Sequence, residues 1–125
     1  MTNINQTKLK ITEHQIQSLF FEELFYKYKK IYPYIFAIPN GGKRHIGVAK
    51  KLKVEGVKAG VCDVFCAIPS NGMHGLFIEF KSATGKLSSL QAEFINTMQY
   101  NDYACIVCKG VDEAFKGLNK YLSKK

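Results

Sequence analysis

No apolar run in this sequence approaches the length of about 18 residues that a transmembrane helix needs. The opening residues, MTNINQTKLK, also lack the apolar core of a signal peptide. These absences predict an intracellular, cytoplasmic protein with no membrane partner. Internal repeats, linkers and low-complexity tracts are missing too. A chain of 125 residues therefore predicts a single domain over residues 1–125, in which 1–11 form a polar lead-in.

Arginine is almost absent, because Arg44 is the only one in the chain. The net charge is nevertheless +8, from 18 basic residues against 10 acidic ones, which favours a polyanionic partner, nucleic acid first and a membrane surface second. Lysine suits phosphate contact better than bidentate reading of bases. The segment PNGG before Lys43 either holds phosphate through exposed amides or is only a turn with solvated charges. The basic residues expected to contact nucleic acid are Lys43, Arg44, Lys50, Lys51 and Lys53.

Two short apolar, β-rich runs, 63–68 and 76–80, flank the loop PSNGMHG, whose Gly and Asn residues predict a hairpin. The midpoint between Asp63 and Glu79 is Asn71, inside that loop. Antiparallel pairing about this midpoint places Asp63 opposite Glu79, with Cβ atoms about 5 Å apart on one face. Lys81, two residues beyond Glu79, shares that face. Two carboxylates and one amine are therefore expected together on an apolar sheet.

Like charges held that close destabilise a fold unless something neutralises them. A divalent cation removes the repulsion, and Mg²⁺ is commonly held by one or two carboxylates. A lysine beside such a site can orient an attacking water or stabilise charge on a phosphate. The same residues also have a purely structural interpretation, in which Glu79 and Lys81 form a strand ion pair and Asp63 only begins a strand. Hairpin geometry alone leaves both interpretations open.

The four cysteines follow the pattern C-x3-C and then C-x2-C, which superficially suggests zinc. Both pairs, however, fall in predicted strands. Residues three apart on a strand point to opposite faces, so Cys105 and Cys108 are not expected to share a metal or a disulfide. Buried cysteine is an ordinary small apolar side chain. We therefore expect reduced structural cysteines, with a zinc-stabilised adaptor as the alternative.

The segment 12–30 is expected to form an amphipathic helix that opens with a capping box of Thr12 and Gln15. Steps of about 100° per residue put Glu13 on the apolar stripe of this helix, whereas Glu22 lies on the opposite side and Glu23 towards the edge of the stripe. That stripe contains Glu13, Ile16, Phe20, Leu24 and Ile31. Glu13 is thus the acid expected to face the sheet, although a first-turn glutamate favoured by the helix dipole explains it equally well.

A second capping box, of Ser88 and Gln91, gives Gln91 a complete structural explanation. Eight helices and strands are expected along the chain. They are a helix at 12–30, a strand at 34–38, a helix at 46–54, strands at 63–68 and 76–80, a helix at 89–100, a strand at 103–108 and a helix at 111–122. This order, α-β-α-β-β-α-β-α, predicts the α/β class, with a small mixed β-sheet flanked by helices.

Five segments together resemble a known family in their order along the chain: IPNGGKR, AKKLKVEGVKAGVCDVF, HGLFIEFK, GKLSSLQAEF and YACIVCKGVDEA. The chain resembles a small, stand-alone, phage-like member of the VRR-NUC domain family, in the PD-(D/E)XK nuclease superfamily. The resemblance runs from about Glu13 to Leu122. It implies a restriction-endonuclease-like core and, if a phage encodes the protein, the cytoplasm of the host. One departure is Cys62, because the family usually has proline before the motif aspartate.

The resemblance also implies Mg²⁺ or Mn²⁺ as cofactor and hydrolysis of phosphodiester bonds. The implied metal ligands are Asp63, Glu79 and the Phe80 carbonyl, joined by Glu13 directly or through water. Lys81 is implied to position water or neutralise the phosphate, and Gln91 to hold Lys81 or water. The implied catalytic residues are Glu13, Asp63, Glu79, Lys81 and Gln91.

Together with the resemblance, these residues predict a divalent-metal-dependent DNA endonuclease, with a non-catalytic basic nucleic-acid-binding module as the alternative. The expected partner is DNA, duplex or branched. Stand-alone members of the family resemble Holliday junction resolvases, which pair two sites across a symmetric junction. A two-fold dimer is also the commonest assembly of a soluble chain. We therefore expect a homodimer that prefers branched DNA.

Overall fold

In the computed structural model, residues 10–40 and 46–123 are described, and they form four helices and four strands. The helices are α1 (Glu13–Lys27), α2 (Ile46–Val54), α3 (Ser89–Tyr100) and α4 (Val111–Leu122). The strands are β1 (Ile35–Ala37), β2 (Val64–Cys66), β3 (Leu76–Phe80) and β4 (Ala104–Cys108). The predicted element order is confirmed, and so are the bounds predicted for α2, α3 and α4.

The four strands form one mixed sheet in the order β1-β2-β3-β4. β1 pairs with β2, and β2 with β3, in antiparallel orientation, whereas β3 and β4 are parallel. Parallel strands need a long crossover, and α3 provides it between β3 and β4. The predicted small mixed sheet flanked by helices is therefore the observed architecture.

The hairpin between β2 and β3 turns at the predicted midpoint. Asn71 and Gly72 both have positive φ, 52° and 82°, which is the conformation of a type I′ turn, and Ser70 bridges Met73 across it. The paired residues include Val64 with Ile78 and Cys66 with Leu76. Continued by one residue, this register sets Asp63 opposite Glu79, as the sequence predicts.

One face of the sheet is covered by α1 and α4. The buried α1 residues are Ile16, Phe20 and Leu24, which confirms the predicted apolar stripe over the length of this helix. From α4, Ala114, Phe115, Leu118 and Tyr121 pack into the same core. The strands contribute alternate residues to it, among them Ile78 and Phe80 of β3. Since alternate residues point to opposite faces, Glu79 is left on the other side of the sheet.

The opposite face carries a smaller apolar cluster under α3. Phe77 of β3 and Ile95 of α3 are buried there together with Cys62, which precedes Asp63. The loop that precedes Asp63 also lies close to α3. Gly60 in this loop has a φ of +90°, and a Cβ atom at this position would lie 2.8 Å from the Cβ of Leu90. A larger residue at Gly60 would push the loop away from α3, so this glycine sets where the Asp63 strand begins.

Several predicted bounds were too long. Helix α1 ends at Lys27 rather than 30, so Ile31 lies beyond the helix and packs against the core from the turn that follows it. A single 3-10 turn, Tyr32–Tyr34, containing Pro33, separates this turn from β1. β1, β2 and β4 are likewise shorter than predicted by one to three residues. Asp63 itself lies just before β2, although its carbonyl still accepts a bond from the Ile38 N–H at 2.8 Å.

The predicted basic surface is described only in part. Lys50, Lys51 and Lys53 lie on α2 and are exposed. Lys43 and Arg44 lie outside the described residues. Within residues 10–40 and 46–123, no helix is long and apolar enough to cross a membrane.

The cysteines divide between the two faces of the sheet. Cys108 belongs to the core under α1 and α4, whereas Cys105 packs against the cluster under α3. Cys66 and Cys62 are separated in the same way. The opposite orientation predicted for Cys105 and Cys108 is therefore confirmed. All four are free thiols, and burial raises the pKa of Cys105 to about 11 and that of Cys108 to about 12.

Candidate active site

Asp63 is held at the start of β2 by two hydrogen bonds to its carboxylate. The backbone N–H of Phe80 donates to Oδ2 at 2.8 Å, and the side chain of Asn40 donates through Nδ2 to Oδ1 at 2.8 Å. The first bond ties Asp63 to the end of β3, and the second ties it to the segment after β1. Asp63 therefore has one defined orientation in which both oxygens keep a free lone pair.

Asn40 is the residue of this site that sequence reasoning missed. It was considered only as part of the turn PNGG, where asparagine is common for local reasons. Its partner Asp63 is 23 residues away, so no local pattern could reveal the contact. A signal was present in the predicted pairing of strands 34–38 and 63–68, which brings the residues after one strand close to those before the other.

Glu79 is the most deeply buried charged residue of the described chain, with 1% of its surface exposed. Its Oε2 accepts a bond from Gln91 Nε2 at 3.0 Å and lies 3.5 Å from Lys81 Nζ. Its Oε1 is buried and has no hydrogen-bond partner among the described residues. An orphaned oxygen on a buried carboxylate is costly, because the group has lost water without gaining a partner.

Gln91 links the start of α3 to Glu79. Its Oε1 accepts a bond from the backbone N–H of Ser88 at 2.9 Å, which completes the predicted capping box. Because the oxygen is occupied there, the amide nitrogen points towards Glu79. Gln91 is expected to hold Lys81 or water; in the structure its Nε2 donates to Glu79, and a role towards water stays a prediction. The capping box and the site thus share one side chain.

Burial is the main electrostatic influence on both carboxylates. The pKa of Glu79 is raised from 4.5 to about 7, first by burial and then by the neighbouring charge of Asp63, against the lowering effect of Lys81. Burial also raises the pKa of Asp63, although the bonds from Phe80 and Asn40 oppose this. Two neighbouring carboxylates whose ionised forms are both disfavoured need an added positive charge.

Glu13 reaches the site from the other side of the sheet. It is exposed in the first turn of α1, and its Oε2 lies 3.4 Å from the backbone nitrogen of Ser82, just after Lys81. A Cβ on Gly85 would come within 3.1 Å of the same oxygen. The acid expected to face the sheet therefore lies near the C-terminal end of β3, beside the loop that follows this strand.

The donor set fits a hard divalent cation. Asp63 and Glu79 offer carboxylate oxygens, which Mg²⁺ and Mn²⁺ prefer, and Glu79 Oε1 is an oxygen that lacks any other partner among the described residues. The backbone of Phe80 also lies at the site, since its N–H binds Asp63, while a role for its carbonyl stays a prediction. Within residues 10–40 and 46–123, no three His, Cys, Asp or Glu residues lie together as a metal-binding cluster, and a part for Glu13 in the metal site stays a prediction.

Comparisons with known proteins identify the family of this chain. The sequence model of a protein family, described as the VRR-NUC domain, matches residues 11–112 of this chain. A solved structure described as a VRR_NUC domain protein is similar with a TM-score of 0.75 and 27% identity, over 90% of this chain and 89% of that chain. No curated protein matches the sequence significantly. The fold is that of a nuclease-type α/β domain. The chain belongs to the VRR-NUC domain family.

Proposed function

We propose that this protein is a divalent-metal-dependent DNA endonuclease that hydrolyses phosphodiester bonds with Mg²⁺ or Mn²⁺. One observation carries the proposal. Glu79 is buried beside Asp63 with one oxygen unpartnered among the described residues, and its pKa is raised to about 7. A fold has no structural reason to bury such a group, whereas a metal site does, because a bound cation repays the desolvation of its ligands.

Each polar residue of the site has a part in this proposal. Asp63, Glu79 and the Phe80 carbonyl would hold the cation, with Glu13 joining directly or through water. The cation, when bound, would acidify a water and stabilise charge on the phosphate. Lys81, 3.5 Å from Glu79 and only 8% exposed, would orient the water or neutralise a phosphate oxygen.

The remaining two residues position the ligands. Gln91 fixes the rotamer of Glu79 through Oε2 and leaves Oε1 free for the cation. Asn40 does the same for Asp63 through Oδ1. Partners of this kind orient metal ligands and influence affinity even though they do not touch the metal.

The DNA strand would be held mainly through its phosphates. Exposed Lys50, Lys51 and Lys53 on α2 supply positive charge, and Lys43 and Arg44 are proposed to extend the same surface. Since lysine binds phosphate as a point charge, binding should weaken steeply with salt and depend little on sequence.

The competing function is a basic module that binds nucleic acid without cutting it. Both functions explain the +8 charge, but only the nuclease explains the buried carboxylate of Glu79 beside Asp63. The deciding experiment incubates labelled duplex, single-stranded and four-way-junction DNA with Mg²⁺, Mn²⁺ or EDTA. We expect cleavage with either metal, none in EDTA, and none by Asp63→Ala or Lys81→Ala at normal DNA affinity. Glu22→Gln, on the exposed side of α1, is the matched control and should cut normally.

A homodimer that prefers branched DNA is the finer part of the proposal. One site cuts one strand, so two sites related by a two-fold axis suit a symmetric branch. Light scattering measures the mass, and cleavage of a four-way junction against linear duplex measures the preference. A monomer that cuts both substrates equally would contradict this part and leave a nuclease that is blind to DNA structure.

A further inference from the structure

A row of three aromatic residues crosses the sheet next to the acidic residues. Phe36 of β1 pairs with Phe65 of β2, which pairs with Phe77 of β3. Their rings touch in sequence, with centroids 5.9 Å apart between Phe36 and Phe65 and 4.6 Å apart between Phe65 and Phe77. All three side chains therefore lie on one face, the face that carries Asp63 and Glu79 two residues further along.

Within residues 10–40 and 46–123, only one end of this row is covered by other side chains. Phe77 is buried and contacts Phe94 of α3 edge-on, with centroids 5.1 Å apart. Phe36, at the other end, is 47% exposed. The ring of Phe36 packs against the ring of Phe65 with an angle of 68° between the ring planes, and this contact holds the exposed aromatic surface in a defined orientation.

The exposed ring lies close to the proposed point of cleavage. In a strand, residues two apart on one face are separated by about 7 Å, so the row of Phe36 is one such step from the row of Asp63 and Glu79. That step is comparable to the separation of neighbouring nucleotides in an extended strand. A phosphate held at the two carboxylates would thus place an adjoining nucleotide within reach of Phe36.

We propose that Phe36 stacks on an unpaired base next to the scissile phosphate, so that the substrate must expose a base at that position. The inference rests on the proposed nuclease function and names its substrate class: DNA whose stacking is interrupted, as in a single strand, a splayed end or a branch point. Aromatic side chains reach the face of a base only when it is unstacked from its neighbours. A paired duplex offers no such face.

A second copy of this chain is the other candidate to cover Phe36. The net charge of +8 favours a polyanionic occupant of this surface. β1 is also only three residues long, which leaves little edge for pairing between copies. The nucleobase is therefore the occupant that charge and strand length both favour.

The test uses the absence of tryptophan from this chain. Phe36→Trp introduces a single indole, whose fluorescence should be quenched when a thymidine oligonucleotide is added in EDTA, where no cleavage occurs. The same oligonucleotide with abasic sites should bind without quenching it. Tyr26→Trp is the matched control, because Tyr26 is 67% exposed on α1, which covers the opposite face, and it should not be quenched.

A second variant measures the energetic effect. Phe36→Leu keeps an apolar side chain but removes the ring, and it should weaken binding of single-stranded DNA by about 5- to 100-fold. Duplex binding should change little. Absence of quenching in Phe36→Trp, equal quenching by the abasic strand, or equal quenching of Tyr26→Trp would overturn the inference. A changed molecular mass of Phe36→Leu with unchanged binding would overturn it too, by assigning the ring to an interface between copies.

The inference and the proposed function fail in different ways. The fluorescence measurement needs neither a metal nor cleavage. Loss of quenching in a protein that cuts DNA would remove only the stacking role of Phe36. Quenching in a protein that cuts no substrate with Mg²⁺ or Mn²⁺ would remove the nuclease and leave the stacking surface in place.

Discussion

Replacing Glu79 by glutamine should stabilise this protein while it abolishes cleavage. Glu79 is 1% exposed, and burial with the charge of Asp63 raises its pKa from 4.5 to about 7. At pH 8 the side chain is ionised in both the folded and the unfolded chain. The folded chain then carries a buried charge that glutamine, with almost the same shape, would not have.

The pKa shift sets both the size and the sign of the effect. A rise from 4.5 to about 7 corresponds to about 3 kcal/mol, the upper limit of the gain from neutralising Glu79. Between pH 4.5 and about pH 7, Glu79 holds its proton more tightly in the folded chain than in the unfolded chain. The free energy of unfolding of the wild type therefore falls as the pH rises through this range. Glu79→Gln should therefore exceed the wild type by up to about 3 kcal/mol at pH 8 and match it below pH 4.5. The lowering effect of Lys81 on the pKa of Glu79 is already included in this shift.

Urea denaturation in EDTA at pH 4.5, 6 and 8 measures this difference, with Glu22→Gln as an exposed control that should match the wild type throughout. Adding Mg²⁺ at pH 8 should then stabilise the wild type and leave Glu79→Gln unchanged, since a ligand stabilises only the state that binds it. The reasoning would be refuted if Glu79→Gln were less stable than the wild type at pH 8, or if its advantage were the same at all three pH values.

Three further predictions concern the neighbouring residues. Glu13→Gln should reduce cleavage more than Glu22→Gln does, because only Glu13 reaches the loop after β3; equal losses would mean that the wrong acid was chosen. Asn40→Ala should weaken Mg²⁺ binding by about 10- to 100-fold in calorimetry, because Asp63 loses an orienting bond, whereas exposed Asn96→Ala should not. Cleavage by Asn40→Ala should recover at high Mn²⁺, and unchanged Mg²⁺ affinity would remove its positioning role. The four cysteines should titrate as four free thiols under denaturation with no zinc in metal analysis, and stoichiometric zinc would contradict their structural role.

The elements that the sequence predicted best are those specified by neighbours in the chain. The capping boxes at Thr12 and Ser88 mark the starts of α1 and α3, because both partners of each box lie within three residues. The loop that contains Asn71 and Gly72 joins β2 and β3, and the two strands pair about Asn71. Register and alternation then place Asp63, Glu79 and Lys81 together without any knowledge of the remaining fold.

The environment of these residues depended on tertiary structure. Asn40 and Asp63 are 23 residues apart, and Glu79 and Gln91 are 12 apart across a loop, so their bonds exist only once the sheet and α3 have packed. The same packing buries Glu79 and leaves its Oε1 without a partner among the described residues. Local sequence thus determined which charged groups share a face. Only packing decided how far water was excluded from them, and that exclusion raises the pKa of Glu79 and makes the site suited to a cation.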